Sequence, residues 1–234
     1  MKTLNMTFVF CALLFSTSIF GQNCGYYMPL KQNSGVEMKS FNAKDKPTGS
    51  VIQKITTISE AGGYTVAKIQ SENFNEKGKS IGQNIYDVKC NGTNVLIDSK
   101  ILLDPKSMES YKDMEMKFTS GDIEVPSNLA VNSTMKDASM AMTVVNNGVT
   151  FSEMNIKLLN RKVVSKETIT VPAGTFECFK ITYDVTIDMK TMGFPIAVKT
   201  KGAEYISAKI GTVKSESYDA NGKLVGYNVL SKIL

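Results

Sequence analysis

The sequence contains no histidine among its 234 residues. This absence removes the commonest general base and zinc ligand, together with every Ser-His and Cys-His nucleophile arrangement. A phosphate-binding glycine loop is also missing, because Gly62 and Gly63 are not followed by Lys and then Ser or Thr. The acidic residues, 22 in number, leave a carboxylate-dependent hydrolase of the glycosidase type as the enzyme alternative. We therefore expect a protein that is not an enzyme, with no catalytic residues and no cofactor.

Cysteine is scarce and lacks the spacing of a metal site. The chain has 4 cysteines, of which Cys24, Cys90 and Cys178 follow the predicted signal peptide described below. Dispersed cysteines of this kind predict no metal site. In an oxidising compartment, three cysteines allow at most one internal disulfide. We expect Cys90 to pair with Cys178, and three unpaired buried thiols are the alternative on sequence grounds.

Long hydrophobic runs are absent except at the start of the chain, where residues 8–15 are all apolar. This run follows Lys2 and precedes small and polar residues that end at Gly21, which is the pattern of a secretory signal peptide. It is too short to span a bilayer, and no later run is longer. A lipid anchor at Cys24 is not expected, because Asn23 stands where a lipobox requires a small residue. We predict a signal peptide over residues 1–21, no transmembrane segment, and a secreted or periplasmic location.

Arginine is nearly absent as well, since Arg161 is the only one in a chain of formal net charge +5. Nucleic-acid-binding surfaces usually combine arginine and clustered aromatic residues with lysine. Lysines scattered along the chain indicate a solvated surface, so we expect no nucleic-acid partner. Residues 22–234 remain after the signal peptide, and a chain of that length suits one β-rich domain.

The clearest strand pattern runs from Glu167 to Ile187. It contains a β-branched stretch, a turn at Pro172-Ala173-Gly174, and then apolar residues at every second position. Proline presets the backbone for the second position of a type I turn, and Gly174 can take the left-handed conformation that closes a bulged hairpin. The segment is therefore predicted to be a long β-hairpin.

A short template occurs three times, in segments 41–49, 74–82 and 218–226. Each begins with an aromatic residue and Asn or Asp, continues through turn residues and Lys, and ends in Gly. The Asn or Asp side chain can bond to the backbone where the turn begins. We interpret each segment as a hairpin tip, with a repeated ligand-binding motif as the alternative.

One helix interrupts the strands, because Asp104 can cap a helix that begins at Pro105 and runs to about Lys112. About a dozen strands account for most of the remaining chain. A sheet of that size must curl, since strand twist accumulates and open edges are a hazard. The predicted fold is all-β, a large curved antiparallel sheet that forms a partly closed barrel with one short helix.

Methionine is abundant, with 13 residues. Three apolar residues alternate directly after the predicted helix and two more alternate in a later strand: Met114, Met116, Phe118, Met140 and Met142. Flexible thioethers line adaptable apolar cavities, so we predict that these five residues form a ligand-binding surface on the concave face. Ordinary core filling in a protein without Trp is the alternative.

Two segments carry a family resemblance: residues 171–181, VPAGTFECFKI, and residues 211–218, GTVKSESY. With them the chain resembles the TapB-like secreted proteins of Gram-negative bacteria, a family of unknown function. Residues 24–29 and 86–90 are similar too, so the resemblance covers nearly all of the chain beyond the signal peptide. It implies a curved antiparallel sheet like the half barrels of periplasmic lipoprotein carriers, and it supplies no catalytic residues.

These observations favour a non-enzymatic exported protein of the cell envelope. The first hypothesis is that it binds an apolar or lipid-like ligand, which rests on the resemblance and on the methionine content. The second is a structural or protein-interaction module that uses a sheet edge or the hairpin tips. A partner of either kind, lipid or envelope protein, is thus expected, without a transmembrane segment.

Overall fold

The computed structural model describes residues 30–234, and the predicted signal peptide therefore lies outside the described residues. Within this range every strand belongs to one antiparallel sheet. The strands, numbered in chain order, are β1 (Gly35–Asn42), β2 (Pro47–Ala61), β3 (Tyr64–Asn75), β4 (Ser80–Cys90), β5 (Asn94–Asp98), β6 (Glu115–Ser120), β7 (Asp122–Pro126), β8 (Ala138–Asn146), β9 (Val149–Val171), β10 (Gly174–Thr191), β11 (Phe194–Ser207), β12 (Gly211–Tyr218) and β13 (Leu224–Ile233).

The sheet closes almost completely on itself. Its 13 strands follow the order β6-β8-β9-β10-β11-β12-β13-β1-β2-β3-β4-β5-β7. The two end strands are consecutive in the chain and meet at Gly121, where β6 pairs with β8 and β7 pairs with β5. One bent stretch of chain thus joins the two ends of the sheet. The predicted all-β fold with a partly closed barrel is confirmed.

The predicted helix is present as a single turn, α1 (Pro105–Met108), which continues as a 3-10 turn over Glu109–Tyr111. Asp104 caps it as expected, because its Oδ2 accepts hydrogen bonds from the N–H and the hydroxyl of Ser107, at 3.2 and 2.6 Å. Side chains of this segment, including Met108 and Tyr111, pack against β8 and β9. The helical segment therefore covers one part of the barrel end.

The long hairpin of β9 and β10 is confirmed, and Gly174 has a φ of 140° in its turn. Its tip folds toward β13, since the Ala173 N–H donates to the carbonyl of Leu230 at 3.4 Å. Val171 and Cys178 are buried there with residues of β11, β12 and β13. The hairpin end thus packs on the sheet instead of extending into solvent.

All three copies of the repeated template are hairpin tips with the same hydrogen bonds. Oδ1 of Asn42, Asn75 and Asp219 each accepts two backbone N–H groups of its own turn, at distances between 2.9 and 3.2 Å. The residue that needs a positive φ is Asp45, Gly78 or Gly222. Because alternate turns of an antiparallel meander fall at the same end, the three tips share one end of the barrel, here called the repeat end. The residues thus serve turn formation.

Candidate functional site

The barrel contains a partly open cavity of about 370 Å³. Most of its wall is aliphatic and comes from strands all around the barrel: Val36, Met38, Val51, Ile97, Ile123, Val125, Leu158, Ile181 and Ile206, with Ile101 and Leu102 from the turn before α1 and Ile210 from the turn before β12. Interdigitated side chains fill most protein interiors, so a space of this size inside a barrel is a candidate ligand site.

Arg161, the only arginine, projects into this cavity and is 4% exposed. Its Nη1 donates hydrogen bonds to the carbonyl of Glu124 at 3.0 Å and to that of Lys136 at 2.7 Å. These carbonyls belong to β7 and to the segment before β8, on either side of the junction that closes the sheet. Arg161 therefore ties the barrel closure together from the inside.

A β-bulge turns Arg161 inward. Along β9, Met154, Ile156 and Leu158 are buried at even positions, whereas Arg161 and Val163 are buried at odd positions. The change occurs at Asn160, whose φ is 55°, where β9 shifts register against β10. A bulge inserts one residue and exchanges the two faces of a strand. The N–H and the side-chain amide of Asn160 hold it by bonding to Asp137 and Asp184.

Glu204 of β11 lines the same cavity and is the one acidic residue of its wall. It is half-buried, because it borders the cavity. Burial raises the pKa of Glu204 above its ordinary value, and Arg161 and the Thr212 hydroxyl offset part of that increase. Glu204 and Arg161 form no salt bridge with each other. A glycosidase-type mechanism needs two facing carboxyl groups, and this cavity supplies one.

The other polar groups of the wall are neutral, and two pairs of them are bonded to each other. The amide of Gln53 donates to the hydroxyl of Tyr86 at 3.0 Å, and the amide of Asn228 donates to the Ser215 hydroxyl at 3.0 Å. Burial, and secondarily Glu204, raises the pKa of Tyr183, so its phenol stays neutral. Charge in the cavity is therefore confined to Arg161 and Glu204.

The five residues predicted to bind ligand lie elsewhere on the inner face. Met140 and Met142 are 1% and 2% exposed, Met114 and Met116 pack against the same cluster, and Phe118 is 36% exposed beside Lys100. Strand pairing puts Phe118 directly opposite Met142, so the expected common face exists. The helical segment contributes Met108 and Tyr111 to the cluster. None of the five lines the cavity described above, and their contact with a ligand stays a prediction.

The predicted disulfide between Cys90 and Cys178 is wrong. Cys178 has a free thiol that is fully buried in the cluster under the β9–β10 hairpin. Burial, assisted by Glu167, raises the pKa of this thiol to about 11. Cys90 is buried in a different cluster, at the end of β4, and it is disulfide-bonded. The two cysteines belong to separate parts of the core, which sequence spacing could not reveal.

An exposed apolar stripe extends from the barrel wall at the repeat end. Residues 194–200 of β11 pair with β10 only, because β12 begins its pairing at Lys201. Phe194, Ile196 and Val198 alternate along this free edge and are 74%, 50% and 42% exposed. Strand pairing puts them on the same face as Thr191, Met189 and Ile187. The inner surface of the barrel thus continues outward as an open ledge.

No helix between residues 30 and 234 has the length and apolarity needed to cross a membrane. In the same range, no group of three or more Cys, Asp or Glu side chains is arranged to hold a metal ion.

Two solved structures are similar to this chain. One is a "putative lipoprotein" from Parabacteroides distasonis, with a TM-score of 0.73 and 22% identity, covering 91% of this chain and 100% of that one. The other is a "putative exported protein with YmcC-like fold" from Bacteroides fragilis, with a TM-score of 0.70 and 19% identity, covering 90% of this chain and 100% of that one. Identities this low establish the fold alone. No curated protein matches the sequence significantly.

A family match covers almost all of the described chain. The sequence pattern of the DUF3108-like proteins matches residues 31–230. The resemblance to exported proteins of unknown function is thus supported, although none of these matches names a TapB-like family. The chain belongs to the DUF3108-like family.

Proposed function

We propose that this protein is an exported, non-enzymatic carrier that holds an apolar, lipid-like ligand inside its barrel, in the periplasm or outside the cell. The observation that carries the proposal is the cavity of about 370 Å³ with a mainly aliphatic wall. Ligand sites in proteins are typically concave, about 300–1,000 Å³ in volume, and apolar with a few polar groups. The likeness to a protein called a lipoprotein and to one called exported agrees with the proposed location.

The cavity favours a ligand with a flexible hydrocarbon part. Its wall offers many aliphatic contacts and few hydrogen-bonding groups, so binding strength would come mainly from removing apolar surface from water, at about 25 cal/mol per Å². Four polar side chains of the wall already form hydrogen bonds in two pairs, Gln53 with Tyr86 and Asn228 with Ser215. A purely polar solute would find few free partners there.

A filled cavity tests this proposal. Ser215 of β12 lines the cavity, and Ser215→Phe would place an aromatic ring inside it. Ser217 lies two residues along the same strand, is exposed and is absent from the cavity wall, so Ser217→Phe is the matched control. We expect an environment-sensitive fluorescent fatty acid to bind the wild type and Ser217→Phe, to be displaced by dodecan-1-ol, and to bind Ser215→Phe at least about tenfold more weakly.

Equal binding by the two phenylalanine variants, with both folded by circular dichroism, would refute the cavity as the site. In that case Met116→Asp becomes informative, since Met116 is half-buried against the cluster that contains Met140 and Met142. If folded Met116→Asp loses probe binding while both phenylalanine variants keep it, the ligand binds at the predicted methionine surface instead of in the cavity.

The ledge on β11 favours a second candidate function, a protein-interaction module of the envelope. A strand edge with unpaired backbone groups can accept an extended segment of another protein. Phe194, Ile196 and Val198 would supply the apolar side-chain contacts. Cross-linking in the native envelope, with and without Phe194→Ser and Ile196→Ser, distinguishes the two functions. A defined protein adduct that the double variant removes, together with no lipid bound to the wild type, would support the interaction module.

A further inference from the structure

Arg161 has hydrogen-bonding capacity that the protein does not use. A guanidinium group has five N–H donors, and the two bonds to backbone carbonyls both come from Nη1. Nε and Nη2 donate to no atom of the described residues. Both nitrogens keep some accessible surface, because neither is among the fully buried atoms that lack a hydrogen-bond partner. Since Arg161 is 4% exposed and lines the cavity, these nitrogens border the cavity space.

The barrel closure fixes the position of this guanidinium. The carbonyls of Glu124 and Lys136 hold Nη1, and the bulge at Asn160 directs the side chain inward. A donor that is preorganised in this way needs little reordering when a ligand arrives. Two adjacent donors, from Nε and Nη2, match the two oxygens of a carboxylate or phosphate group.

We propose that the polar end of the ligand is a single anionic group, a carboxylate or a phosphate monoester, which accepts hydrogen bonds from Nε and Nη2 of Arg161 while Glu204 takes up one proton from solvent. This inference rests on the proposed carrier function and specifies its ligand. The aliphatic wall would then hold the hydrocarbon part of the same molecule.

The charges in the cavity explain why Glu204 should take up a proton when an anion binds. Without ligand, the positive charge of Arg161 faces the carboxyl group of Glu204, to which the Thr212 hydroxyl is also close. A bound anion adds a negative charge at Arg161 and thereby disfavours ionised Glu204. The other acidic or phenolic groups that act on Arg161 are Tyr183, Asp137 and Glu124. Tyr183 is neutral, and neither Asp137 nor Glu124 lines the cavity. Glu204 is therefore the group that responds.

Glu204 already has a raised pKa because of its burial. The anion raises it further, so binding becomes tighter as pH falls from neutral toward the pKa of Glu204. The gain ends where the ligand's own head group becomes protonated.

Isothermal titration calorimetry with four ligands of one chain length tests the inference: dodecanoate, dodecyl phosphate, dodecan-1-ol and dodecylammonium. We expect the wild type to bind at least one of the two anions about tenfold or more tightly than the alcohol, as a charge-assisted hydrogen bond allows. The amine should bind most weakly. The stronger anion identifies the head group as carboxylate or phosphate. Titrations in two buffers of different ionisation enthalpy should show uptake of about one proton with that anion.

Variants of Glu204 and Arg161 should change the affinity for the anion in opposite directions. Glu204→Gln should bind the preferred anion more tightly at neutral pH and lose the proton uptake. Arg161→Gln should abolish the preference for the anion over the alcohol. Arg161→Gln also removes two backbone contacts, so Arg161→Lys is a second variant that keeps the charge but not the paired donors.

The outcomes separate this inference from the carrier function. Equal affinity for the alcohol and both anions overturns the inference and leaves the carrier function standing. Absence of binding for all four ligands overturns both. Should the arginine variants fail to fold, Glu204→Gln decides the matter, because weaker or unchanged binding of the anion by that variant contradicts the inference.

Discussion

Replacement of Gly202 tests the packing that forms one wall of the cavity. Gly202 of β11 pairs directly with Tyr183 of β10, and the tyrosine ring lies over it. A Cβ atom at Gly202 would stand 2.4 Å from two ring carbons and 2.7 Å from the hydroxyl oxygen. Ordinary contacts between carbon atoms are about 3.5–4.0 Å, so the ring must move by about 1 Å or more. We expect Gly202→Ala to destabilise the fold by about 1–3 kcal/mol, the usual cost of overpacking.

Urea denaturation followed by circular dichroism measures this cost, and a double-mutant cycle assigns it. In a Tyr183→Leu background the ring is gone, so Gly202→Ala should be nearly neutral and the coupling energy should reach about 1 kcal/mol or more. Gly121→Ala is the control, because its Cβ would be 3.4 Å from the nearest atom, the carbonyl oxygen of Ser139. If Gly202→Ala is as stable as the wild type, or costs the same with and without the tyrosine ring, then the ring does not restrict the space at Gly202.

Three further predictions concern other parts of the barrel. Asn160→Val should cost about 1 kcal/mol or more because a β-branched residue is strained at its φ of 55°, whereas Asn160→Gly should be tolerated; equal melting temperatures would contradict this. Met142→Ala should cost about 2–5 kcal/mol, as expected for a buried core residue, and a loss near zero in urea denaturation would mean that Met142 does not pack in a core. Peptide mapping without reduction should recover Cys178 as an unlinked thiol; a peptide that joins Cys178 to Cys90 would contradict the structure.

Features that depend on local chemistry could be predicted from the sequence. The Pro172 turn, the three hairpin tips and the cap at Asp104 each follow from a few neighbouring residues, and the structure has all of them. Alternation also predicted the shared face of Phe118 and Met142 correctly. It could not show whether that face is packed or open, because the answer depends on how the helical segment folds over it.

The charged pair of the cavity depends on distant parts of the chain. Simple alternation after Leu158 would put Arg161 on the outer face, and only the bulge at Asn160 turns it inward. Asn was the available signal, because it tolerates positive φ better than most residues. Glu204 comes to the same cavity from β11, a strand that β10 separates from β9. Cys90 and Cys178 show the same limit of sequence reasoning. Both are buried, but they lie in different clusters of the core, and this depends on how distant strands pack.

Native mass spectrometry of the protein purified from its own cell envelope shows whether the barrel holds a ligand in the cell. We expect the wild type and Ser217→Phe to carry a bound small amphiphile that collision activation releases as an anion, and Ser215→Phe to carry none. Wild-type protein that appears only at the mass of the mature polypeptide, with a spectrum identical to that of Ser215→Phe, would contradict the claim that the barrel cavity holds a ligand.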